Sequence, residues 1–178
     1  NAAEGSCLAL LVKTNPEAQP RYNGMSLFIA PKQEGFSVAR ELPKLGYKAI
    51  DTAEVVFENY RLPAENLIGG VEGRGFFQVA GGLELGRINV ASRGVGIAEG
   101  ALKLAGEYAQ IRKTFGKPIC EHQAIQLKLG EMATRARAAR LLTLDAAQAF
   151  DRGDRCDMEA GMAKYFATEA ALENSIEG

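Results

Sequence analysis

The chain has 178 residues, with 21 Lys and Arg against 22 Asp and Glu, giving a formal net charge of −1 at pH 7. Near-neutral charge provides no global field for nucleic acid or an anionic membrane surface, and no run of about 18 apolar residues is present to span a bilayer. The composition, 47% apolar and 24% charged, fits a globular chain long enough for one full core or for parts of two domains. Cys7, Cys120 and Cys156 are widely spaced with no C-x-x-C pair, which points to a reducing compartment and not to a disulfide framework. His122 is the single histidine, and no carboxylates or thiols cluster around it at metal-ligand spacing, so no metal site is expected. Cys120 lies two residues from it and faces another way, which argues against a Cys/His nucleophile.

In chain order, Cys7–Lys13 is a short apolar run of strand length. Residues 14–24 hold Asn15-Pro16, Pro20 and Asn23-Gly24, a connecting loop. Residues 25–30 form a second apolar run closed by Pro31, and residues 36–40 alternate as a half-exposed strand. A break at 43–46 precedes a fourth strand at 52–57. Four short strands parted by turn residues predict an antiparallel sheet or partial barrel, not alternating β-α units. The glycine-rich stretch 69–75 lacks the Lys-Ser/Thr pair of a phosphate loop and completes no G-x-G-x-x-G fingerprint, so it is expected to be a linker.

From Phe76 no proline occurs before Pro118, and apolar residues at three- and four-residue steps (Phe77, Ala80, Leu83, Val90, Ala91, Val95, Ala98) predict a long helix, interrupted at Gly81-Gly82 or Gly86. Gly94, Gly96 and Gly100 each cost about 1 kcal/mol of helix propensity relative to Ala, which suggests close approach of another helix. A second helix is expected over 123–150, with Met132, Ala136, Ala139, Leu142, Ala146 and Ala149 on one side. Arg135, Arg137 and Arg140 read as its solvated or interface face. A turn at 151–157 leads to a third helix over 158–176, and helices joined by short corners pack up-down.

The stretch 108–129, Y-A-Q-I-R-K-T-F-G-K-P-I-C-E-H-Q-A-I-Q-L-K-L, forms the corner between the first two helices. Gly116 is suited to ending a helix, Pro118 cannot continue one, and Glu121 favours the start of the next. Two explanations fit a corner with Arg112, Lys113 and Lys117 around Phe115 and the amides Gln123 and Gln126. One is a site for an anionic ligand with a flat ring system, gripped by a guanidinium fork. The other is a helical corner with solvated charges.

R-K-T-F-G-K-P-I followed by E-H-Q-A-I-Q-L-K-L resembles the acyl-CoA dehydrogenase family, flavoenzymes that desaturate acyl-CoA thioesters. Leu45-Gly46 to Thr52, the V-V-F run at 55–57 and L-P-A-E-N-L-I-G at 62–69 resemble that family's middle β domain. L-E-L-G-R-I-N-V-A-S-R-G-V-G-I-A at 83–98 resembles its first long carboxy-terminal helix, so five motifs stand in the family's order. The resemblance implies an α+β fold truncated at both ends. Residues 1–70 would be the second half of the middle β domain, and 71–178 the first three helices of an up-down helical bundle.

The resemblance also implies FAD as cofactor, with Arg112 on its pyrophosphate across a dimer interface, Thr114 and Phe115 lining it, and His122 and Gln123 near its adenylate end. Glu84 and Arg87 match the acid–arginine pair that borders the acyl-CoA substrate; taken alone they would be a surface ion pair on one helical face. Family chemistry needs a carboxylate base, a flavin hydride acceptor and hydrogen bonds to the thioester carbonyl. Some members carry the base where this chain has Gly86, which excludes that variant; most others carry it in a loop near the carboxy terminus, so the glutamate is expected beyond Gly178 and none within these residues. Such a fragment would be inactive alone. The implied partners are an electron-transfer flavoprotein or similar acceptor and further copies of the chain, as a homodimer or homotetramer. With no transit segment visible, the expected location is cytoplasmic, or the mitochondrial matrix in a eukaryote. An acyl-CoA oxidase or other flavin oxidase of the same fold, or a non-catalytic helical dimerisation module, are the alternatives.

Overall fold

The structure is a computed structural model describing residues 1–178. Its chain divides into two compact units, 1–80 and 81–178.

In the first unit, β1 (Cys7–Lys13) pairs antiparallel with β2 (Met25–Pro31), Cys7 opposite Pro31 and Lys13 opposite Met25. β3 (Phe36–Glu41) pairs antiparallel with β4 (Ala53–Phe57) through a register shift between Val38 and Arg40. The four expected strands are all present. They form two separate two-stranded ladders with no closed barrel, so the antiparallel expectation holds in its open form. The 14–24 loop contains a cis Gln19-Pro20 bond and a 3-10 turn at Arg21–Gly24.

The glycine-rich stretch runs through positive-φ Gly69, Gly70 and Gly73, then docks on β2. Gly73 donates its N–H to the Oγ of buried Ser26 at 3.0 Å, and a Cβ on Gly75 would lie 2.6 Å from the Ser26 carbonyl carbon. Only glycine fits that approach.

α1 (Gly75–Ile111) is one continuous 37-residue helix, with no break at Gly81, Gly82 or Gly86. Three scattered glycines cost about 1 kcal/mol each, whereas breaking a helix leaves several backbone groups unbonded at once. Phe77 and Leu83, expected on the buried face, are exposed. The unit boundary falls within this helix, between Ala80 and Gly81.

The second unit is built from α1, α2 (Gln123–Asp151) and α3 (Asp157–Glu177). Pairs across α2 and α3 run in opposite sense, Lys128 with Glu177 and Arg135 with Glu173. Those across α1 and α3 run in the same sense, Glu84 with Cys156, Gly94 with Ala167 and Ala98 with Asn174. This is the expected up-down order.

The seam between the helices is mostly alanine: Ala91, Ala98, Ala136, Ala139, Ala146, Ala160, Ala163, Ala167 and Ala170 are buried, and larger apolar residues such as Leu104, Ile111, Leu127 and Tyr165 lie outside. Small side chains let the helix axes close in, and each buried methyl contributes about 0.8 kcal/mol. Gly94 marks the tightest approach, where a Cβ would sit 2.6 Å from the Ala167 carbonyl oxygen. Gly96 and Gly100 face open space, so the close contact expected at all three exists at one. Asn174, fully buried, donates from Nδ2 to the carbonyls of Ala98 at 3.2 Å and Met132 at 3.0 Å, tying the three helices at one level.

Candidate functional site

Arg112 follows the last turn of α1, its N–H still bonded to the Tyr108 carbonyl at 2.9 Å. The corner is a β-hairpin, not the bare helix stop expected of Gly116. β5 (Lys113–Thr114) pairs with β6 (Lys117–Pro118) around a two-residue turn, Phe115-Gly116. Both turn residues have positive φ, 52° and 82°. That geometry matches the right-handed twist of the flanking strands, and glycine meets it without strain. Phenylalanine does not, since left-handed backbone in an L-residue costs about 1–2 kcal/mol. Pro118 ends the strand and leads into a 3-10 turn, Ile119–Glu121, so Glu121 lies two residues before α2 and His122 takes the cap position.

Polar contacts fix this corner internally. The Ile119 N–H donates to the Arg112 carbonyl at 2.8 Å, closing the base of the hairpin. Thr114 Oγ1 and His122 Nε2 share a hydrogen bond of 3.0 Å, and the same ring nitrogen lies 3.3 Å from the Thr114 carbonyl. The His122 ring stands edge-on to Phe115 with centroids 6.0 Å apart. Lys117 Nζ donates to the Glu121 carbonyl, and Gln126 Nε2 to that of Cys120, each at 3.0 Å.

Thr114, Phe115 and His122 are therefore one cluster. Phe115, 98% exposed, presents its ring at the hairpin tip. Arg112 and Gln123 are exposed at the two helix ends that the hairpin joins, and no carboxylate pairs with Arg112 or Lys113. Phe115 is thus a solvent-facing aromatic on left-handed backbone, three residues along the chain from a guanidinium that no carboxylate pairs.

Glu84 and Arg87 lie elsewhere on α1, and no ion pair joins them. Instead the Cys156 thiol, on the residue that precedes α3, points to Glu84 Oε2 at 3.9 Å. Cys156 is fully buried, and that burial, with the Glu84 charge behind it, pushes its thiol above the ordinary value. Arg155 grips Asp157 through two contacts, 2.7 and 3.2 Å, which hold the Asp157 carboxyl below its usual range. Of the expected arginine face on α2, Arg135 pairs with Glu131 and Glu173, and Arg140 with Glu99.

A bundle of this order, entered from a β unit and carrying a cationic–aromatic hairpin between its first two helices, defines a class. Residues 73–177 match the family model described as acyl-CoA dehydrogenase, C-terminal domain. Over 156 residues the chain is 44% identical to an acyl-CoA dehydrogenase of Bacillus subtilis (strain 168), covering 87% of this chain and 41% of that protein. Among solved structures it superposes on butyryl-CoA dehydrogenase from Megasphaera elsdenii with a TM-score of 0.91 at 34% identity, covering 98% of this chain and 45% of that one. It superposes also on PigA with FAD and proline, with a TM-score of 0.92 at 26% identity, covering 99% and 46%. The chain belongs to the acyl-CoA dehydrogenase family. It spans less than half the length of each of these relatives.

Proposed function

We propose that this chain is part of an FAD-dependent acyl-CoA dehydrogenase that desaturates an acyl-CoA thioester between its α and β carbons. Residues 1–70 are the second half of the middle β domain and residues 71–178 the first three helices of the carboxy-terminal bundle. The observation that carries the flavin assignment is the hairpin corner. Phe115 stands 98% exposed on a strained turn, locked by the Thr114–His122 bond, next to a guanidinium without a carboxylate. An anionic dinucleotide with a flat ring satisfies both features, and the similar structure of PigA contains FAD.

FAD supplies the hydride acceptor when bound. Arg112 would hold its pyrophosphate by a charge-assisted contact across a dimer interface, Thr114 and Phe115 would line it, and His122 and Gln123 would lie near its adenylate end. Glu84 and Arg87 border the acyl-CoA. Glycine occupies position 86, where some family members carry the proton-abstracting base, and no residue among 1–178 is assigned that role. Electrons pass to an electron-transfer flavoprotein or a similar acceptor. The protein is a homodimer or homotetramer of the cytoplasm, or of the mitochondrial matrix in a eukaryote.

Flavin affinity of the full-length protein, wild type against Arg112→Ala, tests the assignment. Loss of a charge-assisted contact weakens binding by about 1.5–3 kcal/mol, a tenfold or greater effect. Unchanged tight binding would make the corner structural, and a full-length protein that purifies colourless and takes up no flavin would make the chain a helical module.

A further inference from the structure

Glu84 is a half-buried carboxylate on α1 whose side-chain contact comes from another helix. It does not pair with Arg87, the cation one turn along. The Cys156 sulfur lies 3.9 Å from Glu84 Oε2, within reach of a sulfur hydrogen bond. Cys156 has no solvent exposure, and its backbone is fixed as the residue preceding α3, its carbonyl accepting from the Ala160 N–H at 2.8 Å. Burial keeps the sulfur protonated at neutral pH, so the group facing the carboxylate is a donor. The charges around it are ordered: Arg155 is engaged by Asp157, Arg87 adds its field to Asp157, and Glu84 adds its field to Arg155. With both flanking residues committed to each other, the thiol is the one donor aimed at Glu84 from the start of α3.

We propose that Cys156 is a positioning residue for substrate: its thiol donates to Glu84 and holds that carboxylate in the rotamer that meets the acyl-CoA. This rests on the assignment of Glu84 to substrate binding. Glu84 sits in a helix, where several staggered rotamers compete, and a donor from the neighbouring helix selects one. Arg87, exposed and outside this contact, stays available to an anionic part of the ligand.

The test is a double-mutant cycle on the full-length, flavin-loaded enzyme, with Glu84→Ala, Cys156→Ala, the double variant and Cys156→Ser. Acyl-CoA affinity is read by calorimetry, and kcat and KM by turnover. Cys156→Ala is expected to weaken acyl-CoA binding and raise KM about three- to tenfold, the size of one weak hydrogen bond, with kcat little changed. Cys156→Ser, which keeps a donor, is expected to restore most of the loss. In the Glu84→Ala background the effect of Cys156→Ala should vanish.

An effect of the same size in both backgrounds, equal loss in the serine and alanine variants, or wild-type affinity in Cys156→Ala overturns the proposal while leaving Glu84 in the substrate site. Unchanged affinity in Glu84→Ala removes the substrate assignment itself and this inference with it.

Discussion

Phe115 is the residue where folding and the proposed chemistry pull apart. A two-residue turn with both φ angles positive favours Asn-Gly, and Phe in the first place carries about 1 kcal/mol of avoidable strain. Phe115→Asn should therefore raise stability by about 0.5–1 kcal/mol in chemical denaturation while lowering flavin affinity. A variant that gains neither stability nor loses flavin would show that the ring is accommodated without strain and without purpose. The residues of this cluster were legible in the sequence because they stand in one short motif. The hairpin that groups them was not: strands of two residues, Lys113–Thr114 and Lys117–Pro118, are too short to show alternation. The Cys156–Glu84 contact has no local signature, because the two residues lie 72 positions apart and only helix packing brings them together.

At the scale of elements, the glycines of α1 separate two effects. Gly94→Ala places a methyl 2.6 Å from the Ala167 carbonyl oxygen, and both atoms belong to packed helices. It should destabilise by about 1–3 kcal/mol despite the better propensity. Gly96→Ala and Gly100→Ala face open space and should stabilise by about 0.5–1 kcal/mol each. Thermal melts of the three variants check this, and the same sign for all three would contradict the packing described. Helix existence was readable from periodicity, and the ends of α2 and α3 lie within a residue of expectation, since Pro118 and the 151–157 turn bound them. What periodicity overstated was the buried face of α1. Phe77 and Leu83 keep the spacing yet are exposed, and glycines counted as breakers are carried by the turns on either side.

For the whole molecule, ionisation sets a stability window. Asp51 is held low mainly by the Ala3 N–H, Asp157 by Arg155 and Glu177 by Lys128, from ordinary values of 3.8, 3.8 and 4.5. Each binds its proton more weakly folded than unfolded, so its contribution is complete above those ordinary values and is lost as pH falls through the depressed folded ones. Cys156 is the reverse case. Burial raises it from 9.0, so its contribution is complete below that value and is lost as pH rises past it. Urea midpoints should be level between about pH 5 and 8 and fall on both sides. Asp157→Asn should flatten the acid limb and Cys156→Ala the alkaline one. Limbs unaltered by both variants would assign the window to other groups. The four antiparallel strands and the three-helix order were legible at this scale, because turn residues and short corners restrict connectivity, whereas the split of the strands into two separate ladders was not.

The alanine seam has a consequence for how this sequence can change. A core of leucines offers many ways to shrink and few to grow, whereas a core of methyl groups has almost nothing left to remove. At Ala91, Ala98, Ala139, Ala163 and Ala167 the limit on substitution is therefore volume, not polarity. Serine, nearly isosteric and able to bond back to its own helix, should pass where valine is refused, so random drift along the seam should read as exchange among the smallest residues. The outward leucines and tyrosines, held to no such dimension, are free to follow whatever surface they come to meet.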